Sequence, residues 1–553
     1  MIINKPYSPS PSVGGLQSRY IPPRHIRNPI ATEAGSKMTS RLTTAIVGRL
    51  PFLLFLCFDG LLINHKCIAA PNFITTVPNV TKEVSLGSSN SKFEREPEVL
   101  DTVPPFGVQL SPKYKRSGAF EGVTIGLPRI LTRVSDSLVH DREEIVQNYS
   151  QSADKDLDQV LNYIRNLKNE ILTNAQFKAL RLSPNENHIW SDDIRVWNDY
   201  LAERTKIEGG IPRFYSTPHI YSECYTYRRI AEAFHLTETL KSYDPFTAQK
   251  RRAFDDSTAS AIAVAAHTLQ EIDRKQEVSL ADKKQEFIKH LKLCLWGNKV
   301  DLAFSHGAAV GQSGNPLELL SSLDKNILVN NTDLVWDALT NCRTKKPNGT
   351  MTVDVVLDNA GYELFTDLSL SAFLISRNLA DRIRFYVKRI PWLVSDVTTR
   401  DFQWIIQHMK NSSNPDLSRF GQLVEGHLET GVFSILDEPF WTSPFVFSEM
   451  PQKDPALYAK LSEASLAIIK GDLNYRKLIG DINWEYSTSI LQAIRGFLPT
   501  NIVSLRTIKS NACVGLQPNQ AESVARADPN WLTTAKYGLI TAAVNNQTCS
   551  RAG

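Results

Sequence analysis

Residues 353–368 read V-D-V-V-L-D-N-A-G-Y-E-L-F-T-D-L, an apolar run that stops abruptly at Asp358 and Asn359. The run is typical of a strand buried on both faces, as the strands of parallel sheets are. A carboxylate and an amide do not stay buried at such a place without partners. They therefore either cap the helix that follows or form part of a metal site. The stretch by itself leaves both interpretations open.

Similar apolar runs, bounded by polar turns and separated by helical patterns, recur beyond residue 325. Buried strands that alternate with helices predict the α/β class, with a largely parallel sheet and helices on both faces. The runs are N-I-L-V-N at 326–330, V-D-V-V-L-D at 353–358, I-R-F-Y-V-K at 383–388, L-A-I-I-K-G-D at 466–472 and I-V-S-L-R-T at 502–507.

Between residues 118 and 300 apolar side chains recur every three or four positions, as they do from Leu157 to Ile171. This spacing predicts amphipathic helices. We therefore divide the chain into a disordered N-terminal extension at 1–116, a helical domain at 117–305 and a three-layer α/β/α domain at 306–545.

The N-terminal extension is rich in Ser, Pro and Arg, and it contains a short hydrophobic run at 51–63. Asp59 interrupts this run, which is too short to span a bilayer, so we expect no stable membrane span. Arg41 and Arg49 precede it, a pattern also found in signal and transit segments. We predict a cytoplasmic protein, with a signal peptide that starts at Met38 as the alternative.

The composition limits the possible partners and compartments. With 553 residues, 42% hydrophobic and 22% charged, the chain is typical of a globular protein of two or three domains. The net charge of +4 arises in the extension, and the remaining chain is slightly acidic, which argues against nucleic acid as a partner. The seven cysteines form no C-x-x-C pair, which predicts neither a zinc nor a redox site and favours a reducing compartment.

Polar residues follow the predicted strands in every informative case. Ser395 and Asp396 come after I-P-W-L-V, residues 471–476 come after L-A-I-I-K, and the last run ends in Arg506-Thr507-Ile508-Lys509. Ligands of open α/β sheets bind beyond the carboxyl ends of the strands. We therefore expect these segments to meet Asp358 and Asn359 at one edge of the sheet.

Two carboxylates and an amide oxygen form a hard donor set, which suits Mg²⁺ or Mn²⁺ better than zinc. Arg476 and Lys509 add positive charge that matches phosphate. The combination predicts metal-assisted transfer of a phosphoryl group to water. Each residue taken singly keeps another interpretation. Asp396, for example, could cap the helix that contains Asp401.

The sequence resembles the metal-dependent damage-control phosphatases over about residues 118–540. The motifs that carry the resemblance are L-D-N-A-G-Y-E-L-F-T-D-L, P-W-L-V-S-D, K-G-D-L-N-Y-R-K-L and R-T-I-K, with E-C-Y-T-Y-R-R-I at 223–230, L-W-G-N-K-V-D-L at 295–302 and W-L-T-T-A-K-Y-G at 531–538. The R-T-x-K element is similar to that of the third subfamily. The N-terminal extension departs from this family, whose members are typically cytosolic.

The resemblance implies a helical domain on an α/β/α catalytic domain, and an enzyme that hydrolyses small phosphometabolites, notably fructose 1-phosphate and fructose 6-phosphate. It implies Mn²⁺, Ni²⁺ or Co²⁺ as the cofactor. It makes Asp358, Asn359 and Asp396 the metal ligands, with Asp358 and Asp396 as catalytic groups. The implied substrate-binding residues are Asp358, Asn359, Asp472, Leu473, Asn474, Tyr475, Arg476 and Lys509.

A second hypothesis also follows from the resemblance, because one member of the subfamily is additionally named an acidic-residue methyltransferase. Such an enzyme would transfer a methyl group from S-adenosylmethionine to protein glutamate, with Glu363 and Asp396 contacting the cofactor. The turn D-N-A-G lacks the G-x-G sequence commonly used to approach that cofactor, and an all-oxygen metal site has no evident role in methyl transfer. We therefore expect a phosphatase that is monomeric and acts on a small phosphorylated sugar.

Overall fold

The computed structural model describes residues 99–182, 188–305 and 316–549. The strands in these ranges are β1 (Ile327–Asn330), β2 (Thr352–Val356), β3 (Arg382–Tyr386), β4 (Phe433–Leu436), β5 (Leu466–Lys470), β6 (Ile502–Thr507) and β7 (Gly538–Ala543). They form one sheet in the order β1-β7-β6-β5-β2-β3-β4. Neighbouring strands are parallel except for the antiparallel pair β6 and β7, which confirms the predicted, largely parallel sheet.

Each of the five predicted apolar runs contains a strand, with ends that differ by at most a few residues. Two further strands, β4 and β7, were not predicted. Strand β4 has the sequence F-S-I-L and lies half-buried at the edge of the sheet, so its apolar signal is weak. Strand β7 reads G-L-I-T-A-A and is buried, but glycine and alanine have low strand propensity.

Helices surround the sheet and extend over its carboxyl edge. They are α1 (Gly118–Glu121), α2 (Leu127–His140), α3 (Arg142–Tyr149), α4 (Ala153–Leu172), α5 (His188–Glu208), α6 (His219–His235), α7 (Thr247–Asp256), α8 (Thr258–Asp273), α9 (Leu280–Ser305), α10 (Pro316–Leu323), α11 (Thr332–Lys345), α12 (Tyr362–Ser376), α13 (Thr399–Lys410), α14 (Pro415–Glu429), α15 (Met450–Lys453), α16 (Pro455–Ser462), α17 (Asp472–Leu478), α18 (Ile490–Ala493) and α19 (Gln520–Ala527). A π-helical turn at Gly122–Gly126 joins α1 to α2.

Side chains of the strands alternate between two apolar cores, one on each face of the sheet. In the β2 segment, Val353, Val355 and Leu357 join a core shared with α8, α9 and α12. Val356 points the other way, into a core that contains Trp441 and Met450. This alternation is the period of a strand, and it produces the predicted three layers with helices on both faces.

A third apolar core lies among α2, α4 and α6, and it reaches the carboxyl edge of the sheet. Ile390, Trp392 and Val394, from the loop after β3, pack in this core, as does Leu473 at the start of α17. Burial of a large apolar side chain contributes about 1.5–3 kcal/mol, so these contacts anchor both loops. The predicted boundary between domains at 305/306 borders undescribed residues and remains a prediction.

Residues 99–116 were assigned to the disordered extension, but in the structure they pack against the folded chain. Leu110 is buried in a core, and its backbone N–H donates to the carbonyl oxygen of Asp481 over 2.8 Å. The N–H of His219, in α6, donates to the carbonyl oxygen of Leu110 over 2.8 Å. The earlier part of the extension, including the hydrophobic run at 51–63, lies outside the described residues.

Cys342 and Cys549 form a disulfide, although the cysteine spacing predicted no pairing. The two residues are 207 positions apart, so the sequence could not reveal their contact. Both are buried together against Met351, between the end of α11 and the C-terminal segment. Cys224, Cys294 and Cys513 are free and buried, as expected of small apolar side chains. Within the described ranges, no helix is long and apolar enough to cross a membrane.

Candidate active site

The candidate site lies beyond the carboxyl ends of four adjacent strands, in the order β6, β5, β2 and β3. From β2 the chain proceeds to β3 and β4 on one side and later returns to β5 and β6 on the other. Strand β2 is therefore a topological switch point, the usual position of a ligand crevice in an open α/β sheet. Asp358 and Asn359 follow β2 at this position.

Neither Asp358 nor Asn359 caps the following helix. The N-cap of α12 is Gly361, which provides no side-chain capping hydrogen bond. Instead, the amide Nδ2 of Asn359 donates to Oδ2 of Asp358 over 2.9 Å and to Oε2 of Glu363 over 2.8 Å. Its Oδ1 accepts a 2.5 Å hydrogen bond from the hydroxyl of Ser395. The local alternative of a helix cap is therefore wrong for this pair.

Asp396 reaches the site through an irregular loop and not, as the sequence suggested, from the end of a strand. The segment I-P-W-L-V follows β3 as a loop, in which Leu393 and Val394 have φ angles of 42° and 69°. Such angles are unusual for large side chains and strained for a β-branched one. The tight turn brings Asp396 back toward β2, where it forms an isolated β-bridge with Asn359. Thr398 and Asp401 form the capping box of α13, so Asp396 is not its cap.

Gly471 provides the space in which the Asp358 side chain lies. Its φ angle is +82°, and a Cβ atom added there would lie 1.9 Å from Cγ and from Oδ2 of Asp358. No side chain can occupy this position without moving the carboxylate. The turn from β5 into α17 thus requires glycine for two reasons, the backbone conformation and the close approach.

Electrostatic repulsion is concentrated around Asp358. Burial raises the pKa of its carboxyl group well above the usual value, and the nearby carboxylates of Asp396 and Glu363 raise it further. Burial also raises the pKa of Asp396, against the opposing effect of the Lys388 ammonium group. Nζ of Lys388 lies 3.1 Å from Oδ2 of Asp396 and donates to the carbonyl oxygen of Leu357 over 2.8 Å.

The donor atoms of this cluster fit a divalent cation. Asp358 and Asp396 are buried, their negative charges disfavour each other, and Oδ2 of Asp396 accepts no hydrogen bond of good geometry within the described chain. No group of three or more His, Cys, Asp or Glu side chains among the described residues is arranged as a metal site. The amide oxygen of Asn359 would join the two carboxylates in a donor set of oxygens alone, which suits a hard divalent cation.

Lys509 is the predicted phosphate contact, and its ammonium group is available for one. The side chain is half-buried, and it has no ion pair or hydrogen bond with another described residue. It is nevertheless close enough to influence the carboxylates of Asp358 and Asp472 electrostatically. The ammonium group of Lys509 thus has no partner among the described residues and lies near the predicted metal ligand Asp358.

Asp472 presents a charged oxygen at the rim of the site. Its side chain is 20% exposed, and Nε of Arg506 donates to its Oδ1 over 2.9 Å. Although burial opposes the effect, the guanidinium groups of Arg506 and Arg476 hold the pKa of Asp472 below its usual value. Arg506 is itself buried and lies over the ring of Tyr475, so it fixes the position of a carboxylate that stays ionised.

The guanidinium group of Arg476, predicted to match phosphate, is already engaged by other residues. Nε and Nη2 donate to the two carboxylate oxygens of Asp481 over 2.9 and 3.0 Å, and Nη1 donates to Oε2 of Glu223 over 2.6 Å. Nη2 also contacts Nδ1 of His219 over 2.8 Å. Arg476 therefore links α17 to α6 in this structure, and its charge is balanced by two carboxylates.

The other three predicted residues of this loop are buried, with described contacts that support its conformation. Leu473 packs in the helical core. Nδ2 of Asn474 donates to the carbonyl oxygens of Leu357 and Lys470 over 3.1 and 2.9 Å, which joins the ends of β2 and β5. The hydroxyl of Tyr475 accepts the N–H of Val514 over 3.1 Å. A substrate contact from this loop would therefore fall mainly to Asp472.

Two buried lysines near the site were not singled out from the sequence. Lys388 contacts Asp396, as described above, and Lys470 ends β5 with its ammonium group 3.0 Å from Oε1 of Glu363. Both lie at or just beyond the carboxyl end of a predicted strand, inside the apolar runs I-R-F-Y-V-K and L-A-I-I-K. A lysine at the end of a buried run was the available signal, because a buried ammonium group requires an acidic partner.

Comparison with known proteins identifies a common family. The model of the damage-control phosphatase ARMT1-like domain matches residues 126–524. Damage-control phosphatase ARMT1 of Bos taurus is 39% identical over 442 residues, which cover 79% of this chain and 98% of that protein. The Homo sapiens protein of the same name is 38% identical over 429 residues, or 76% of this chain and 96% of that protein.

A similar solved structure is the crystal structure of a DUF89 family protein from Pyrococcus horikoshii. It is 17% identical in sequence, with a TM-score of 0.32, and the match covers 64% of this chain and 90% of that chain.

Proposed function

The chain belongs to the damage-control phosphatase family with an ARMT1-like domain, and we propose that it is a metal-dependent hydrolase of small sugar phosphates. The proposed substrates are fructose 1-phosphate and fructose 6-phosphate. The observation that carries the proposal is the position of Lys509, a cation without an acidic ion-pair partner in the described chain, close enough to the buried carboxylate of Asp358 to influence it electrostatically.

We infer that Asp358, Asn359 and Asp396 hold Mn²⁺ or Ni²⁺, with Co²⁺ and Mg²⁺ as further candidates. Such a cation supplies Lewis-acid chemistry, by polarising a phosphoryl oxygen and lowering the pKa of water. Two carboxylates would balance its charge, which relieves the repulsion that raises the pKa of Asp358. Lys388, held against Asp396 and the carbonyl oxygen of Leu357, keeps Asp396 in place.

The remaining residues bind the substrate in this proposal. Lys509 contacts an oxygen of the phosphate, whose negative charge increases its attraction for a free ammonium group. Asp472, ionised and held by Arg506, accepts hydrogen bonds from hydroxyl groups of the sugar. Positioning and charge stabilisation of this kind supply most of the catalysis in phosphoryl transfer.

The proposal is tested by measuring phosphate release from fructose 1-phosphate and fructose 6-phosphate. Protein treated with a chelator should lose nearly all activity, and added Mn²⁺ or Ni²⁺ should restore it. Glycerol phosphate at the same concentration serves as the comparison for sugar recognition. Full activity of thoroughly metal-free protein would contradict the metal mechanism, and equal rates on all substrates would contradict sugar specificity.

Replacing Asp358 with asparagine should stabilise the metal-free protein near neutral pH. The folded state retains the Asp358 proton to a higher pH than the unfolded state, whose carboxyl pKa is about 3.9. The stability that this group contributes therefore falls as the pH rises from the pKa of the unfolded state toward the higher pKa of the folded state. Asp358→Asn removes the buried charge, so its melting temperature in chelator should exceed that of the wild type at pH 7.

The difference in melting temperature should shrink as the pH is lowered below about 3.9, where Asp358 is protonated in the unfolded as well as the folded state. Added Mn²⁺ should raise the melting temperature of the wild type and leave that of Asp358→Asn unchanged. A variant that melts below the wild type in chelator at pH 7 would show that the Asp358 charge is not a source of strain.

The methyltransferase hypothesis receives less support from the geometry. Both carboxylate oxygens of Glu363 are engaged, one by Lys470 and the other by Asn359. A cofactor contact would have to displace one of these partners. We therefore retain the phosphatase as the proposed function.

A further inference from the structure

We propose that Glu363 is a positioning residue that, together with Asp358, sets the orientation of the Asn359 amide, so that its oxygen atom is directed to the metal. The inference rests on the proposed metal site and adds to it a residue that does not touch the metal. Glu363 lies in the first turn of α12, four residues after Asn359, and its side chain is buried.

The Asn359 amide lies between partners of opposite hydrogen-bonding character. On one side, its Nδ2 donates to two carboxylate oxygens, one from Asp358 and one from Glu363. On the other side, its Oδ1 accepts from the hydroxyl of Ser395, next to Asp396. An inverted amide would place its oxygen against both carboxylates, which repel it. In the orientation shown, Oδ1 faces the Ser395 hydroxyl instead of a carboxylate, and its second lone pair is the one that a cation would use.

The orientation of Glu363 is fixed in turn by a buried lysine. Nζ of Lys470 lies 3.0 Å from Oε1 of Glu363, 2.6 Å from Oδ1 of Asp367 and 3.0 Å from the carbonyl oxygen of Cys294. Lys470 is fully buried; its ammonium group donates hydrogen bonds to Asp367 and Cys294 and forms an ion pair with Glu363. Oε1 of Glu363 is thus held toward Lys470, and Oε2 is left to accept from Asn359. Groups that orient metal ligands in this way commonly change metal affinity by 10–100-fold.

The variant Glu363→Gln tests this role because glutamine has nearly the same size but carries a donor. Its oxygen should face the Lys470 ammonium group, since two donors repel each other. Its NH₂ group would then face Nδ2 of Asn359, donor against donor. Inversion of the Asn359 amide would relieve this contact, although it sets the amide oxygen against Asp358, and it would turn an NH₂ group toward the metal. We therefore expect the dissociation constant for Mn²⁺ to rise by about 10–100-fold.

Glu363→Ala provides the decisive comparison. Without a side chain at this position, Nδ2 of Asn359 still has Asp358, and Lys470 still has Asp367. The amide keeps its orientation, so the loss of Mn²⁺ affinity should be smaller than in Glu363→Gln. A role in packing alone predicts the reverse order, because alanine leaves a cavity and glutamine does not.

Glu286→Gln is a matched control. Glu286 is also buried, with Oε2 accepting from Arg377 over 2.9 Å and Oε1 accepting from Arg274 over 2.7 Å. Its neutralisation removes a buried ion pair on α9 but does not involve Asn359. We expect reduced stability and a dissociation constant for Mn²⁺ within about twofold of the wild type.

Calorimetric titration of Mn²⁺ into the metal-free wild type and the three variants decides the question. Weaker binding by Glu363→Gln than by Glu363→Ala, with Glu286→Gln unchanged, supports the proposal. Equal or tighter binding by Glu363→Gln overturns it. S-adenosylmethionine is titrated in parallel. If the wild type binds it and Glu363→Ala does not, while Mn²⁺ affinity stays constant, the proposal is overturned and Glu363 is assigned to that cofactor. Because the test measures metal affinity, its result can be interpreted even if the wild type releases no phosphate from the proposed sugars.

Discussion

Replacing Gly471 with alanine should abolish most phosphate release while the protein remains folded. A Cβ atom at this position would lie 1.9 Å from Cγ and Oδ2 of Asp358, a distance that real contacts do not tolerate. The short Asp358 side chain has little room to retreat, because it is buried beside Asn359 and Asp396. Its displacement would remove a metal ligand. We expect kcat/KM to fall at least by the 10²–10³-fold typical of losing one strong transition-state contact.

Gly431→Ala controls for the cost of the backbone conformation. Gly431 has a φ angle of +72°, similar to the +82° of Gly471, but a Cβ atom there would have nothing within 4 Å. Both substitutions force alanine to a positive φ angle, and at Gly471 the ψ angle of −179° adds to the cost, because essentially only glycine adopts that combination. Urea unfolding should therefore show destabilisation by both variants, and more by Gly471→Ala. Only Gly471→Ala should lose activity and Mn²⁺ binding. Wild-type turnover by Gly471→Ala would contradict the position assigned to Asp358.

Replacing Lys509 with alanine should lower phosphatase turnover by about 10²–10³-fold at saturating Mn²⁺. Lys509 acts on Asp358 and Asp472 at a distance but forms no ion pair with a described residue, so its removal leaves no unpaired carboxylate among them. The effect should therefore appear in kinetics and not in the free energy of unfolding. Lys509→Arg should restore activity only in part, because the planar guanidinium group is longer and fits a compact cation site poorly.

Lys536→Ala is the comparison for Lys509→Ala. Lys536 lies in the same C-terminal region, and its ammonium group pairs with Asp528 over 3.1 Å at the surface. Exposed ion pairs contribute little to stability, so this variant should keep both stability and turnover. Measured kcat and KM for both variants separate a phosphate contact from a general change in charge. Turnover by Lys509→Ala within a few-fold of the wild type would contradict the proposed role.

Much of the fold follows from local sequence patterns. The run V-D-V-V-L, which overlaps β2, is apolar at nearly every position because the strand is covered on both faces, and the same holds for L-A-I-I-K in β5. Strands β4 and β7 escaped prediction because one is short and half-buried and the other is rich in small residues. Asp396 was predicted at the site, although the strained turn at Leu393 and Val394 that delivers it was not.

The sequence did not reveal which charged side chains pair with each other. Arg476 and Lys509 both follow buried strands and carry the same charge, so local reasoning treats them alike. In the structure Arg476 is balanced by Asp481 and by Glu223, which is 253 positions away, whereas Lys509 has no ion pair in the described chain. Likewise, the contact of Lys470 with Asp367 joins residues 103 positions apart. Coulomb energy depends on separation in space, which the order of residues does not state.

The sequence by itself determined the α/β class, the family and the oxygen donors at the end of β2, because each of these is encoded in contiguous residues. A buried strand, its polar ending and the glycine after β5 can be read locally. Only the tertiary structure showed that Asp358 occupies the space left by Gly471 and that Glu363 accepts a hydrogen bond from Asn359. It also showed that Lys509 has no acidic ion-pair partner in the described chain. These properties arise from side chains of different segments meeting at one edge of the sheet, where steric exclusion and charge balance depend on distances of a few ångströms.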